Sequence, residues 1–236
     1  MLIIENSEVM GWEHAIRGMR NPMNSWDRSD SCTRGEVWCN EFCDDTFEAE
    51  PDYKCGFDTG LRLGPNDHEL MTQLVKGGPV HAKYRRMITV YLDITAPLYW
   101  WKEFDTYKVG TVANSCSTMH KIHEKEFVLE DFSCEHLVDE LDFERIFKTY
   151  LETTIEGLNE ARDKYLETND KFYWWQMIQL LPSSYNQKRT VMLNYEVLSN
   201  LYKSRRNHKL DEWHTLCDWV ETLPYSELIT EKGVDI

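Results

Sequence analysis

The stretch RRMITVYLDITAP, residues 85–97, constrains the fold more than any other part of the sequence. Apolar and polar residues alternate along it, which is the pattern of a strand with one buried face. The residues of the apolar face are Ile88, Val90, Leu92 and Ile94. The sequence therefore predicts a strand from Met87 to Ile94, and the rest of the fold has to cover its apolar face.

Helices are predicted on both sides of this strand. On its N-terminal side, Asp67 is a candidate cap for a helix that the Gly-Gly-Pro of residues 77–79 ends. The apolar residues of this helix recur at helical spacing: Leu70, Met71, Leu74 and Val75. On the C-terminal side, Pro97 suits the first turn of a helix that runs toward Tyr107, with Thr95 as a candidate cap.

Most of the remaining chain has the patterns of helices and loops. Three further helices are predicted, over residues 142–166, 187–204 and 207–222. The N-terminal region is rich in turn-forming residues and contains one short helix candidate, at residues 36–47. Helices dominate and strands are few, which predicts an α+β or α/β fold. We expect a single domain made of irregular N-terminal loops, a core and a tail, over residues 1–66, 67–222 and 223–236.

Charge and hydropathy limit the partners of the chain. With 26 basic and 41 acidic residues the net charge is −15, which disfavours binding to long nucleic acid, although two or three local arginines can still hold one phosphate. No apolar run approaches the ~18 residues of a membrane span and the start lacks a basic leader, so we expect a cytoplasmic protein without a membrane partner. Seven cysteines, an odd number, indicate reduced thiols.

Several side chains suggest chemistry at the level of sequence. Four cysteines precede His68, but none of them forms the C-x2-C pair of a structural zinc site, so we predict no metal: Cys32, Cys39, Cys43 and Cys55. Cys116, next to Ser117, is a candidate nucleophile beside His120 or His123. A loop whose hydroxyl groups cap backbone amides explains the same residues equally well. The sequence contains no glycine-rich phosphate-binding loop, which disfavours nucleoside triphosphatases and Rossmann dehydrogenases.

Two segments carry a resemblance to a known family. They are HELMTQLVKGGPVHAKYRRMITVYLDITAPLYWWKEF and LLPSSYNQKRTVMLNYEVLSNLYKSRRNHKLDEWHTL, with a hydroxyl-rich loop between them. Their order of features resembles the flavin-dependent thymidylate synthases, which have a histidine before a strand, a proline leading into a helix, a Leu-Pro pair, and then an asparagine, an arginine and a glutamate. The corresponding residues are His81, Pro97, Leu181, Pro182, Asn194, Arg205 and Glu212. The likeness covers residues 67–222.

This resemblance implies a fold and a reaction. The fold would be a helix-rich α+β domain with a small, mainly antiparallel sheet. The protein would bind flavin adenine dinucleotide (FAD) and 2′-deoxyuridine monophosphate (dUMP) or a related pyrimidine deoxynucleotide. Methylenetetrahydrofolate would supply one carbon and NADPH the reducing equivalents for methylation of dUMP to dTMP. The resemblance also implies a homotetramer, with sites that form between subunits.

The same resemblance assigns roles to individual residues. The residues expected to contact the flavin are His81, Lys108, Thr111 and Asn114. The residues expected to bind the nucleotide are Arg86, Ser117, Asn194 and Arg205. Among these, Ser117 is expected to be catalytic, and Arg86 is a candidate substitute partner for a phosphate group.

The chain departs from the family at its signature. In ungapped register from Pro97, the family's Arg-His-Arg becomes Thr-Tyr-Lys at residues 106–108, the following serine becomes Thr111, and the acidic-x-Ser-x-Arg segment falls within ANSCSTMH. One lysine and a threonine do not reproduce the bidentate contacts of guanidinium groups with phosphate. Three interpretations remain open: a synthase, a non-catalytic nucleotide-binding relative that has lost the flavin, and an unrelated helical protein.

Overall fold

The structure is a computed structural model that describes residues 1–32, 62–138 and 147–233. The helices of this part of the chain are α1 Trp12–Arg20, α2 Pro65–Lys76, α3 Leu98–Phe104, α4 Phe147–Thr168, α5 Lys171–Leu180, α6 Tyr195–Arg205, α7 Asp211–Glu221 and α8 Glu227–Thr230. Its strands are β1 Ile3–Met10, β2 Thr89–Pro97, β3 Val112–Ser115 and β4 Asn186–Asn194. Short 3-10 turns occur at Asn21–Met23, Trp26–Arg28, Lys83–Arg86 and Leu129–Asp131.

The four strands form one antiparallel sheet in the order β1-β2-β4-β3. This confirms the predicted helix-rich α+β class with a small sheet. The strand predicted from Met87 to Ile94 is β2, shifted by two or three residues, and its predicted apolar face is almost fully buried. Within residues 1–32, 62–138 and 147–233, no helix combines the length and the apolar character that a membrane span requires.

The two helices beside β2 occur as predicted, with different caps. α2 begins at Pro65, so Asp67 lies inside its first turn and is fully buried rather than at the cap. Pro97 occupies the N-cap position of α3, and the helix ends at Phe104 rather than near Tyr107.

The first amides of α3 find their acceptors outside the helix. The N–H groups of Leu98 and Tyr99 donate to the backbone carbonyls of Tyr185 and Ser183, both at 3.0 Å. These carbonyls satisfy amides that have no partner within a helix, so a side-chain cap is not needed.

The helix predicted over residues 187–204 is wrong in its first half. The structure has β4 over Asn186–Asn194 and a helix only from Tyr195. Gln187, Val191 and Leu193 are buried while residues between them are not, which is the period of a strand. The Asn194 side chain then accepts a hydrogen bond from the amide of Val197 at 3.0 Å and so caps α6.

The N-terminal region is also more regular than predicted. β1 and α1 lie in the part that the sequence predicts to be irregular. In the C-terminal half of the chain, α5 is a further helix that the sequence patterns do not predict. The buried residues of α1 include Trp12, Ala15, Ile16 and Met19, at a helical spacing that the sequence displays. The helix predicted at 36–47 and the predicted start of α4 at residue 142 lie outside the described residues. The helix predicted over 207–222 is α7.

The chain divides into two compact units. One comprises Met1–Asn6, Leu92–Lys108 and Ala113–Val191; the other comprises Ser7–Tyr91, Val109–Val112 and Met192–Ile236. In the first unit, α4 packs against α5 around a core that includes Leu158 and Met177, both fully buried. The predicted boundaries at residues 66 and 222 remain predictions.

Aromatic and ionic contacts hold the second unit together. The ring of Trp12 packs edge-on against Tyr195, with ring centroids 5.4 Å apart. Arg85, which is only 1% exposed, forms ion pairs with Glu196 at 3.2 Å and with Glu231 at 3.1 Å. These contacts connect α1, α6, the turn Lys83–Arg86 and the residues after α8.

A second buried ion pair joins α1 to α2. Arg20 is 3% exposed, and its Nε donates to Oδ1 of Asp67 at 2.6 Å. Oδ2 of Asp67 accepts hydrogen bonds from the hydroxyl groups of Ser29 at 2.8 Å and Ser31 at 2.6 Å. Burial raises the pKa of Asp67, but the hydrogen bonds from Ser31, Ser29 and Arg20 outweigh it and hold this pKa below its usual value.

The segment before residue 32 also caps α2. The Asp30 carboxylate accepts hydrogen bonds from the amides of Asn66 at 2.9 Å and Asp67 at 3.1 Å. A Cβ at Gly64 would lie 2.2 Å from Oδ1 of Asp30, so only glycine fits against this carboxylate. The anion at the helix N-terminus is electrostatically favourable.

We expect Asp67→Asn to lower the free energy of unfolding by about 3–5 kcal/mol at pH 7, because it leaves the buried Arg20 without a counter-charge. The pKa of Asp67 is lower in the folded than in the unfolded protein. The stabilisation by the Asp67 carboxylate is therefore fully present above the usual pKa of 3.8, and it is lost as the pH falls through the pKa of the folded state. Urea denaturation at pH 7 and below pH 4 measures both effects.

The control for this test is Glu69→Gln, which removes an exposed carboxylate from the same helix and should change stability by about 0.5 kcal/mol or less. Equal stability of Asp67→Asn and the wild type at pH 7 would contradict the assigned role of the ion pair.

Candidate functional site

A cavity of about 740 Å³ lies in the second unit, against α1, α2 and the turn Lys83–Arg86. Its volume is within the range of roughly 300–1,000 Å³ that small-molecule sites occupy. The described residues that line it lie between Gly18 and Met87.

The walls of the cavity are largely apolar. Met19 of α1 and both Leu70 and Leu74 of α2 line it, together with Val80 and Met87 on either side of the turn Lys83–Arg86. Of these, Val80 and Met87 are strongly exposed. An apolar surface of this kind suits a planar ring system, because burying it removes apolar area from water.

His81 lines the same cavity and is exposed. Its amide donates to the carbonyl of Gly78 at 2.9 Å, and Gly78 has a φ of +87° that favours glycine. A Cβ at Gly77 would lie 3.1 Å from the His81 ring, so the absence of a side chain there lets the imidazole lie against the end of α2. The two glycines thus place the His81 ring at the rim of the cavity.

Polar groups of α2 also face the cavity. Asn66, Glu69 and Gln73 line it, and Nε2 of Gln73 donates to Oε1 of Glu69 at 3.1 Å. Carboxamides both donate and accept hydrogen bonds, which is what the edge of a nitrogen heterocycle requires. The cavity therefore combines apolar walls with a few oriented polar groups.

Three basic residues line the cavity as well, namely Arg20, Arg28 and Lys83. The sequence alone assigns no role to these residues. The apolar spacing in α1 was the signal that a helix precedes Arg20. No sequence signal places Arg28 and Lys83 on the same cavity, because they are 55 positions apart in the chain.

Arg86 does not lie on the strand but at the end of the turn Lys83–Arg86. It is exposed and does not line the cavity, whereas the neighbouring Arg85 is buried in ion pairs. Of the two adjacent arginines, only Arg86 is therefore accessible to a ligand.

Thr111 and Asn194 belong to the second unit, near the start of α6. Gly110 has a φ of +81°, and a Cβ there would lie 3.1 Å from Nδ2 of Asn194. The Thr111 hydroxyl is buried and has no hydrogen-bond partner among the described residues. A buried hydroxyl without a partner is costly, so this group has unused hydrogen-bonding capacity beside the start of α6.

Arg205 is the last residue of α6, and its guanidinium lies 4.8 Å from the ring centroid of Trp213. Arg205 is 11 positions after Asn194, which corresponds to about 16 Å along the helix. These two residues therefore lie at opposite ends of α6, and neither lines the cavity beside His81.

Lys108, Asn114 and Ser117 belong to the first unit. Lys108 and Asn114 are exposed, and Asn114 is part of β3. Oγ of Ser117 accepts hydrogen bonds from the amides of Met119 at 3.2 Å and His120 at 2.9 Å. The Ser117 hydroxyl thus holds a turn, which agrees with the interpretation of this segment as a loop whose hydroxyl groups cap backbone amides. The hydrogen of this hydroxyl remains available to a ligand.

The candidate nucleophile Cys116 is exposed, and its backbone pairs with β4: its amide donates to the carbonyl of Lys188 at 2.9 Å. His120 is exposed, and His123 packs edge-on against Tyr165 with ring centroids 4.9 Å apart. Within the part of the chain that the structure describes, no hydrogen bond joins the Cys116 thiol to either imidazole. Cys39, Cys43 and Cys55 lie outside the described residues.

The chain is similar to solved structures of one enzyme. Thymidylate Synthase X (ThyX) from Helicobacter pylori with FAD and dUMP has a TM-score of 0.61 and 16% sequence identity, covering 98% of this chain and 97% of that one. A structure of flavin-dependent thymidylate synthase ThyX from the same organism, complexed with FAD and dUMP, has a TM-score of 0.58 and 16% identity, covering 98% of each chain. No family model and no curated protein matches the sequence. The chain therefore has a ThyX-like fold.

We expect Ser117→Ala to lower the free energy of unfolding by about 1 kcal/mol, because two backbone amides lose their acceptor. Ser115→Ala, two residues away on the exposed strand β3, is the matched control and should leave stability within about 0.5 kcal/mol of the wild type. Chemical denaturation of both variants measures the difference. Equal effects of the two substitutions would show that the Ser117 hydroxyl does not hold the turn.

Proposed function

We propose that the protein is a flavin-dependent thymidylate synthase-like enzyme that methylates dUMP, or a related pyrimidine deoxynucleotide, with methylenetetrahydrofolate and NADPH. One observation carries the proposal: the fold matches, over almost the whole of both chains, that of an enzyme solved with FAD and dUMP. We further propose that it is a cytoplasmic homotetramer.

The cavity beside His81 fits a flavin. Its apolar walls suit the ring system, the carboxamides Asn66 and Gln73 suit the polar edge of the ring, and the basic residues suit phosphate groups. When bound, the flavin supplies the redox chemistry. Because the flavin supplies this chemistry, the reaction does not require a side-chain nucleophile. The residues of the chain bind and orient the ligands and exclude water.

The remaining assignments follow the order of the chain. Flavin contacts are proposed for His81, Lys108, Thr111 and Asn114, and nucleotide contacts for Arg86, Ser117, Asn194 and Arg205, with Ser117 as the catalytic residue. The unpartnered Thr111 hydroxyl and the available hydrogen of Ser117 support two of these assignments. Because Asn194 and Arg205 are about 16 Å apart along α6, a nucleotide that contacts both ends requires more than one copy of the chain. Assembly is therefore part of the proposal.

The test of flavin binding is the purified protein itself. We expect FAD near one molecule per chain, either as isolated or after reconstitution, measured from the visible absorption of the flavin. His81→Ala should weaken FAD binding about tenfold, whereas His14→Ala, on the exposed side of α1 and outside the cavity, should not. Protein that takes up no FAD would contradict the proposal and leave the non-catalytic nucleotide-binding relative. Growth of a thymidine-requiring bacterium on expression of the wild type tests the reaction.

Nucleotide binding is tested at Ser117 and Arg205. We expect Arg205→Ala to weaken dUMP binding by about 1.5–3 kcal/mol, because a charge-assisted contact is lost, and Ser117→Ala to weaken it by about 1 kcal/mol. The control for the arginine variant is Arg206→Ala, because Arg206 is the neighbouring arginine and forms an ion pair with Asp218. Titration calorimetry with dUMP measures the affinities. Unchanged affinity in both test variants would mean that the nucleotide binds elsewhere.

A further inference from the structure

The basic side chains of the cavity come from three separate elements. Arg20 ends α1, Arg28 ends the turn Trp26–Arg28, and Lys83 begins the turn Lys83–Arg86. Asp67 neutralises Arg20, so among the described charged residues that line the cavity Arg28 and Lys83 outweigh Glu69, in a chain whose net charge is −15. Among the described residues, Glu69 is the acidic residue that lines the same cavity, and it accepts a hydrogen bond from Gln73.

Arg20 is the fixed member of this group. Its Nε donates to Asp67 and its Nη1 donates to the carbonyl of Ser25 at 3.2 Å. No described residue accepts a hydrogen bond from its Nη2, although the side chain is only 3% exposed and lines the cavity. A held guanidinium with unused donors presents them without a further loss of side-chain entropy.

Arg28 and Lys83 add exposed positive charge to the cavity that this fixed donor lines. Both are exposed, and within residues 1–32, 62–138 and 147–233 neither forms an ion pair. A guanidinium recognises phosphate oxygens in pairs, and an ammonium adds a compact charge. Two exposed cations and a buried guanidinium on one cavity are donors that suit a phosphate or pyrophosphate group.

We propose that Arg20, Arg28 and Lys83 form the subsite that binds the phosphate groups of the flavin, and that they take the place of the signature arginines that the chain lacks. This inference rests on the proposed function. It explains how a chain with Thr-Tyr-Lys at residues 106–108 keeps affinity for a dinucleotide. The ring of the same ligand then lies along the apolar walls toward His81.

The experiment compares FAD with riboflavin, which has the same ring and no phosphate. Full-length wild type, Arg28→Gln, Lys83→Gln and the double variant are titrated with each ligand and with inorganic pyrophosphate. We expect each single variant to weaken FAD binding about tenfold and the double variant more, with riboflavin binding unchanged. FAD affinity of the wild type should also fall more steeply with salt than that of the double variant.

The matched controls are Arg17→Gln and Lys76→Gln. Arg17 lies on α1 one turn before Arg20, Lys76 ends α2, and both are exposed outside the cavity, so their FAD affinity should equal that of the wild type. Arg20→Lys, which keeps a positive charge for Asp67 but loses the guanidinium fork, should weaken FAD binding while its circular dichroism and unfolding midpoint confirm that it folds.

The outcomes separate this inference from the proposed function. Unchanged FAD binding in the double variant, or equal losses for FAD and riboflavin, would overturn the phosphate subsite while flavin binding stands. Wild type that binds neither flavin but binds pyrophosphate, with a loss in the double variant, would overturn the proposed function and the assignment of the subsite to the flavin, and would leave a subsite for another phosphate ligand. Wild type that binds none of the three ligands would overturn both.

Discussion

The candidate site depends on the buried ion pair between Arg20 and Asp67. The Asp67 carboxylate has no exposed surface and accepts hydrogen bonds both from Arg20 and from residues 29–31, so α1, that segment and α2 hold one another in place. Leaving either charge without its partner costs several kcal/mol. The walls of the cavity are therefore fixed before a ligand arrives, and a preorganised site loses less entropy on binding.

The fold and the signature residues obey different constraints. The sheet requires alternating apolar residues on β2 and β4, and the helices require apolar stripes. Many different sequences meet these requirements, so two chains with 16% sequence identity can share the fold. Recognition of a phosphate requires donors that converge on one point, but these donors do not have to come from one loop. The chain has no pair of arginines at residues 106–108, after α3. The basic residues of the cavity are Arg20 of α1, Arg28 of the turn Trp26–Arg28 and Lys83 of the turn Lys83–Arg86. Affinity for the same ligand is compatible with both arrangements.

The sequence predicted the elements whose pattern is local and unambiguous. Ile88 to Ile94 alternate strictly, and α2 and α7 have clear stripes. In β4, Gln187, Lys188 and Met192 are good helix formers, and burial in the sheet overrides their propensity. α5, KFYWWQMIQL, has apolar residues on all sides and no stripe to detect. At the site, the resemblance indicates His81, whereas only the structure shows that Arg20 and Arg28 line the same cavity.

The most direct test of the account is a crystal structure of the protein grown with FAD and dUMP. The account predicts density for the flavin ring between α1 and α2 against His81, with its phosphate groups in contact with Arg20, Arg28 and Lys83. Flavin density elsewhere, with this cavity filled only by water, would contradict it.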